Sequence, residues 1–176
     1  MRYLAPAAFV KYLARFQPPQ GGKIAAFDVG RKRIGVAMTD ESRTVVVPMT
    51  TMERERSGDI AQLSKQVQAF VNETGCVGLV VGLPLKDGQA TEMANEIVEL
   101  MLQVDCHKQA KEKGDETSPP PSPLPFTLWS EVGSTMKARE IIKQASSKRS
   151  VYAKRKDEVA AAVILKRFMF HNQDLQ

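Results

Sequence analysis

Three acids in this chain stand where a fold could aim them: Asp28 near the end of the apolar run "KIAAFDV", Glu131 at the end of "FTLWSE", and Asp157 at the head of "DEVAAAVILKRF". A lone carboxylate at a strand end is ordinarily solvated or capping. Three brought together repel one another until a cation neutralises them, and hard carboxylate oxygens select Mg²⁺ or Mn²⁺. Two such ions suit phosphodiester hydrolysis, one activating the attacking water and the other stabilising the leaving oxygen.

The cations are distributed to match. Across the whole chain the net charge is only +5, yet between residues 137 and 167 ten Lys and Arg stand against three acids, and Lys154, Arg155 and Lys156 run directly into Asp157. Such a local excess suits a polyanion. Gly30, Lys32 and Arg33 follow Asp28 in a tight turn; solubility of the turn and contact with nucleic acid are both open readings for the two cations.

Elements able to position these residues can be read from periodicity. Lys23–Val29, Ile34–Thr39 and Arg43–Pro48 alternate or run apolar and predict a meander of three strands. Ile60, Leu63, Val67, Phe70 and Val71 fall at helical spacing within Gly58–Glu73. "CVGLVVGLP", Cys76–Pro84, predicts a strand buried on both faces. A helix through Ala94, Ile97, Val98, Met101 and Leu102 follows, then a fifth strand at Phe126–Glu131 and a helix capped by Ser134 or Thr135. The last helix is expected from about Lys156 to Phe170, with Asp157 in its first turn. If the first, fourth and fifth strands run parallel as neighbours, acids leaving their C-terminal ends converge outside the sheet edge.

At 176 residues the chain suits one domain, residues 23–171. Residues 1–22 form an acid-free extension, read as either an added helix or an organelle-targeting presequence, with "QPPQGG" as the hinge after it. "CHKQAKEKGDETSPPPSPLP", 106–125, offers almost nothing to a core and is expected to be a disordered insertion.

Cys76 and Cys106 lie too far apart, with no second pair, for a zinc site or a disulfide framework. No apolar run approaches the roughly 18 residues of a membrane span, so no membrane partner is expected. A secretory signal is also lacking; the expected location is cytoplasmic, or chloroplast or mitochondrial if residues 1–22 are a presequence. Cys76 and Trp129 read as packing, and His107 and His171 as surface residues.

Three stretches together carry a resemblance. "AAFDVGRKRIGVAMTD", "VVGLPL" and "DEVAAAVILKRF" resemble, in order, the motifs of the YqgF-type family of Holliday-junction resolvases, also described as pre-16S rRNA nucleases. The match covers most of Ile24–Phe168. It implies an α/β, ribonuclease H-like fold: a five-stranded mixed sheet, its first three strands antiparallel, with helices on both sides. It further implies that Asp28, Glu131 and Asp157 are catalytic and bind metal, and that Gly30 and Gly35 leave space for backbone or phosphate beside them. The partner would be structured DNA or RNA. Oligomeric state stays open, with a homodimer suited to cutting both strands of a junction.

One motif departs from the family. In "SEVGST", Ser130, Val132 and Gly133 replace the aspartate, the arginine and the bulky residue of the family's Asp-Glu-Arg segment. A metal-dependent nuclease and a weak or inactive nucleic-acid-binding relative are therefore both carried forward.

Overall fold

Alanine, valine and isoleucine runs become strands here, and segments with apolar residues every three to four positions become the helices that cover them. The computed structural model describes residues 1–16, 22–54, 60–86, 89–104, 123–145 and 149–172, without the side chains of 90, 145 and 149–154. In chain order the elements are β1 (Arg2–Tyr3), α1 (Pro6–Leu13), β2 (Ile24–Val29), β3 (Arg33–Thr39), β4 (Val46–Glu53), α2 (Ile60–Thr74), β5 (Gly78–Leu83), β6 (Leu85–Lys86), β7 (Gln89–Ala90), α3 (Glu92–Gln103), β8 (Pro125–Ser130), α4 (Ser134–Ala145) and α5 (Arg149–His171).

The main sheet has the order β1-β8-β5-β2-β3-β4. β2, β5 and β8 are parallel neighbours, while β2-β3 and β3-β4 are antiparallel. Six strands replace the five expected, because Arg2 and Tyr3 pair in parallel with Pro125 and Phe126 at the outer edge of β8. β6 and β7 form a separate two-stranded ribbon after β5.

Three expected boundaries move. β4 runs from Val46 to Glu53 instead of Arg43 to Pro48; as an edge strand it accommodates Pro48, where the pairing shifts register between Val36 and Ala37. Arg43 sits before it at φ 59°. α5 begins at Arg149, so Asp157 lies two turns inside the helix and not in its first turn. The basic stretch ahead of it carries Lys, Arg and Ala, all good helix formers, and no Gly or Pro to stop the helix.

Of the expected insertion, 106–122 lies outside the described residues, as does most of the hinge at 17–22. Leu124, assigned to the insertion, is fully buried in the main core.

Alternation along the central strands separates two cores. Ala25, Phe27, Val29, Leu79, Val81 and Phe126 face α2 and α3. Ile24, Ala26 and Val80 face the other way and pack with Phe9 and Leu13 of α1 and Ile164, Leu165 and Phe168 of α5. Asp28 shares the parity of Ile24 and Ala26, and Glu131 that of Trp129, which packs on the α5 side. The sheet therefore presents both acids to the face that α5 crosses.

Candidate active site

Two glycines flank Asp28 on its sheet face, and each admits one of its acidic neighbours. Gly35 of β3 pairs directly with Asp28. A Cβ there would lie 2.0 Å from the carbonyl oxygen of Asp157, so only a residue without a side chain lets the backbone of α5 rest on the sheet at this point. Gly82 belongs to β5, the strand between β2 and β8. A Cβ on it would lie 2.9 Å from Glu131 Oε2 and 2.9 Å from Ile164 Cδ1. The gap above Gly82 is what lets acids from two strands that are not adjacent meet.

They do meet: Asp28 and Glu131 share a hydrogen bond, and Asp157 lies close enough to act on Asp28 through its charge. Burial pushes the Asp28 carboxyl up from 3.8 to about 8; the Glu131 charge, the hydrogen bond and the Asp157 charge push the same way, against Lys156. Burial also raises Glu131, opposed by the hydrogen bond from Asp28. The pair thus holds a proton on Asp28, donated to Glu131. Glu131 Oε2 remains buried with no hydrogen-bond partner.

Asp157 is neutralised differently. Arg33 Nε lies 3.1 Å from its Oδ2 and Lys156 Nζ 3.7 Å from its Oδ1. Among the described residues no three His, Cys, Asp or Glu side chains are gathered closely enough to enclose a metal ion. The three acids are neighbours, with the third turned to two cations.

The remaining predicted residues divide. Arg33 and Lys156 join the site. Arg155 pairs instead with Glu158 at 2.6 Å, and Lys32 is exposed at the turn, where its carbonyl accepts from Arg54 N. The side chain of Lys154 lies outside the described residues. Gly30 serves the turn itself: its N–H donates to Arg33 O, and a Cβ would stand 2.9 Å from that oxygen. In the sequence Gly82 stands out only as part of "VVGLPL", and its place beneath Glu131 was missed; a glycine directly after the Leu-Val-Val run of β5 was the available signal.

Comparison with known proteins adds the family. The family model described as "RuvX: Holliday junction resolvase" matches residues 22–171. The chain belongs to the RuvX family. Relatives described as "Putative pre-16S rRNA nuclease" include one from Sphingopyxis alaskensis, 35% identical over 84% of this chain and 86% of its own length. Another, from Paramagnetospirillum magneticum, is 30% identical over 94% of this chain and 93% of its own. Among solved structures, "T. thermophilus RuvC in complex with Holliday junction substrate" is similar at a TM-score of 0.48 and 12% identity, covering 85% of this chain and 95% of that one.

Within this RuvX-family chain the "SEVGST" turn has its own geometry. Gly133 adopts φ 74°, a left-handed conformation that suits glycine and strains a bulky residue. Ser130 Oγ accepts from Val132 N at 3.4 Å, and Ser134 N donates to Glu131 O at 2.8 Å. Position 132 offers no guanidinium, but Arg167 of α5 reaches the same turn and donates from Nη1 to the Val132 carbonyl.

Proposed function

We propose that this protein is a metal-dependent nuclease of ribonuclease H-like fold that hydrolyses phosphodiester bonds in structured nucleic acid, with Asp28, Glu131 and Asp157 as its catalytic acids. The observation that carries the reading is the burial of Asp28 against Glu131, close to Asp157, with Glu131 Oε2 left without a partner. With Asp28 ionised and Arg33 drawn away, the same acids would crowd negative charge that a cation relieves.

The donor set is all carboxylate, which fits Mg²⁺ or Mn²⁺ in the chemistry expected of two ions. Asp28, Glu131 and Asp157 would hold them. A cation bound there supplies positive charge against the charge that builds on the phosphoryl oxygens and eases deprotonation of the attacking water. For their part the chain's residues orient the reaction. Arg33 and Lys156, now on Asp157, are the cations that would meet the scissile phosphate, and Gly35 and Gly82 leave the room that lets Asp157 and Glu131 approach Asp28. The described relatives point to two substrates, a four-way DNA junction and precursor ribosomal RNA. A homodimer would bring two sites to a junction.

Cleavage assays test this directly. With Mg²⁺ or Mn²⁺ the full chain is expected to cut a four-way junction or a structured precursor RNA. Asp28→Asn should lose about 10²–10³-fold in rate while keeping substrate binding. Substrate binding without metal-dependent cleavage would instead favour a non-catalytic binding protein.

A further inference from the structure

Beside the end of β8, next to the C-terminal part of α5, lies an open cavity of about 500 Å³ lined by Trp129, Ser130, Lys166, Arg167, Phe170 and His171. Its composition is unusual for a surface hollow: two aromatic rings, an imidazole and two cations, with no acid among the lining residues. Phe170 is 75% exposed although its neighbours Phe168 and Met169 are buried. Trp129 is held in place by an edge-on contact with Phe168 at 5.3 Å and a tilted one with His171 at 5.2 Å. Lys166 and Arg167 are exposed beside these rings.

Position relative to the acids matters as much as composition. Trp129 and Glu131 project from the same face of β8, two residues and therefore about 6.6 Å apart. The ladder stays regular between them, since Glu131 N still donates to Leu83 O. That separation is about the span of a single extended nucleotide.

We propose that this cavity is a nucleobase subsite. An unpaired base one nucleotide from the scissile phosphate stacks on Trp129 and Phe170, and its phosphate is held by Lys166 and Arg167. The proposal rests on the nuclease reading for its place in the reaction. Its chemistry stands on the cavity: aromatic rings take any base through its π face, while cations take the backbone. An unpaired base is what the loops, bulges and ends of a structured nucleic acid offer and a continuous duplex does not.

Trp129 is the chain's one tryptophan, so its emission reports on this cavity. The full chain, without metal, is titrated with single-stranded oligo-dU, with oligo-U and with an abasic strand of equal length. Both base-bearing strands are expected to quench the emission, the tighter of the two identifying the preferred sugar, while the abasic strand leaves it unchanged. Phe170→Ala should weaken base-bearing strands about 5- to 100-fold and the abasic strand little. Lys166→Ala should weaken all three and flatten their salt dependence. Equal quenching by the abasic strand, or unaltered binding by Phe170→Ala, overturns the proposal. So does a Phe170→Ala variant that converts a dimer to a monomer in sedimentation while the parent shows no quench, which would give this face to a second copy. Because the quench is read without metal, it stands or falls separately from the effect of Asp28→Asn on cleavage.

Discussion

Asp28 keeps a proton that an exposed aspartate gives up near pH 4, and that proton sets how the metal-free protein responds to pH. Its carboxyl titrates at about 8 in the fold against 3.8 ordinarily. The native state therefore binds a proton that the unfolded chain has released, and this contribution to stability is complete below about pH 4 and lost as pH rises through 8. Chelator-treated protein should show a melting temperature that falls from pH 5 to pH 8. Added Mg²⁺ should restore most of the loss at pH 8, and Asp28→Asn should flatten the profile. The acids themselves could be read from the sequence, because a charged residue closing an apolar run has few places to go. Their surroundings could not: Arg33 meets Asp157, and Gly82 lies beneath Glu131, only once distant segments have packed. Nothing in the local pattern around Arg33 distinguishes a solvated turn cation from the counter-ion of a buried site.

At the scale of elements, the decisive contact is α5 lying on β3. Gly35 permits it, and Ala37 with Ala161 and Ala162 extends the close approach along the helix. Gly35→Ala places a methyl group against the Asp157 carbonyl, which is backbone and cannot rotate away. The expected cost is about 3 kcal/mol, readable in urea denaturation, with cleavage lost as Asp157 moves off the site. Short apolar runs exposed most of the strands in the sequence, and helical spacing exposed α2 and α3. Several features escaped, the two-residue strands of the β6–β7 ribbon among them. β1 is two residues long, too short to carry a pattern, yet it makes the sheet six-stranded. β4 extends through Thr50 and Thr51, whose polarity hides an edge strand. The early start of α5 was masked by its charges: between Tyr152 and Val159 every residue but Ala153 is charged, so no apolar stripe marks the helix there.

Across the whole molecule, a buried arginine ties the N-terminal helix to the sheet. Arg43 is 2% exposed, and its guanidinium donates to Leu13 O at 3.2 Å and to Gly22 O at 3.2 and 3.3 Å. Arg43→Ala leaves those carbonyls unpaired and should cost about 2–3 kcal/mol, seen as a lower melting temperature and faster proteolysis near α1. The same economy of placement governs the acids: β2, the residue following β8, and α5 each contribute one, and two glycines let them approach. The central claim is that these three carboxylates together form the cation-binding site. Anomalous diffraction from crystals soaked in Mn²⁺ measures it most directly. The account predicts density within about 2.0–2.3 Å of oxygens from Asp28, Glu131 and Asp157, with Arg33 moved off Asp157. Manganese bound elsewhere, with Arg33 still on Asp157 and the proton still shared between Asp28 and Glu131, would contradict it.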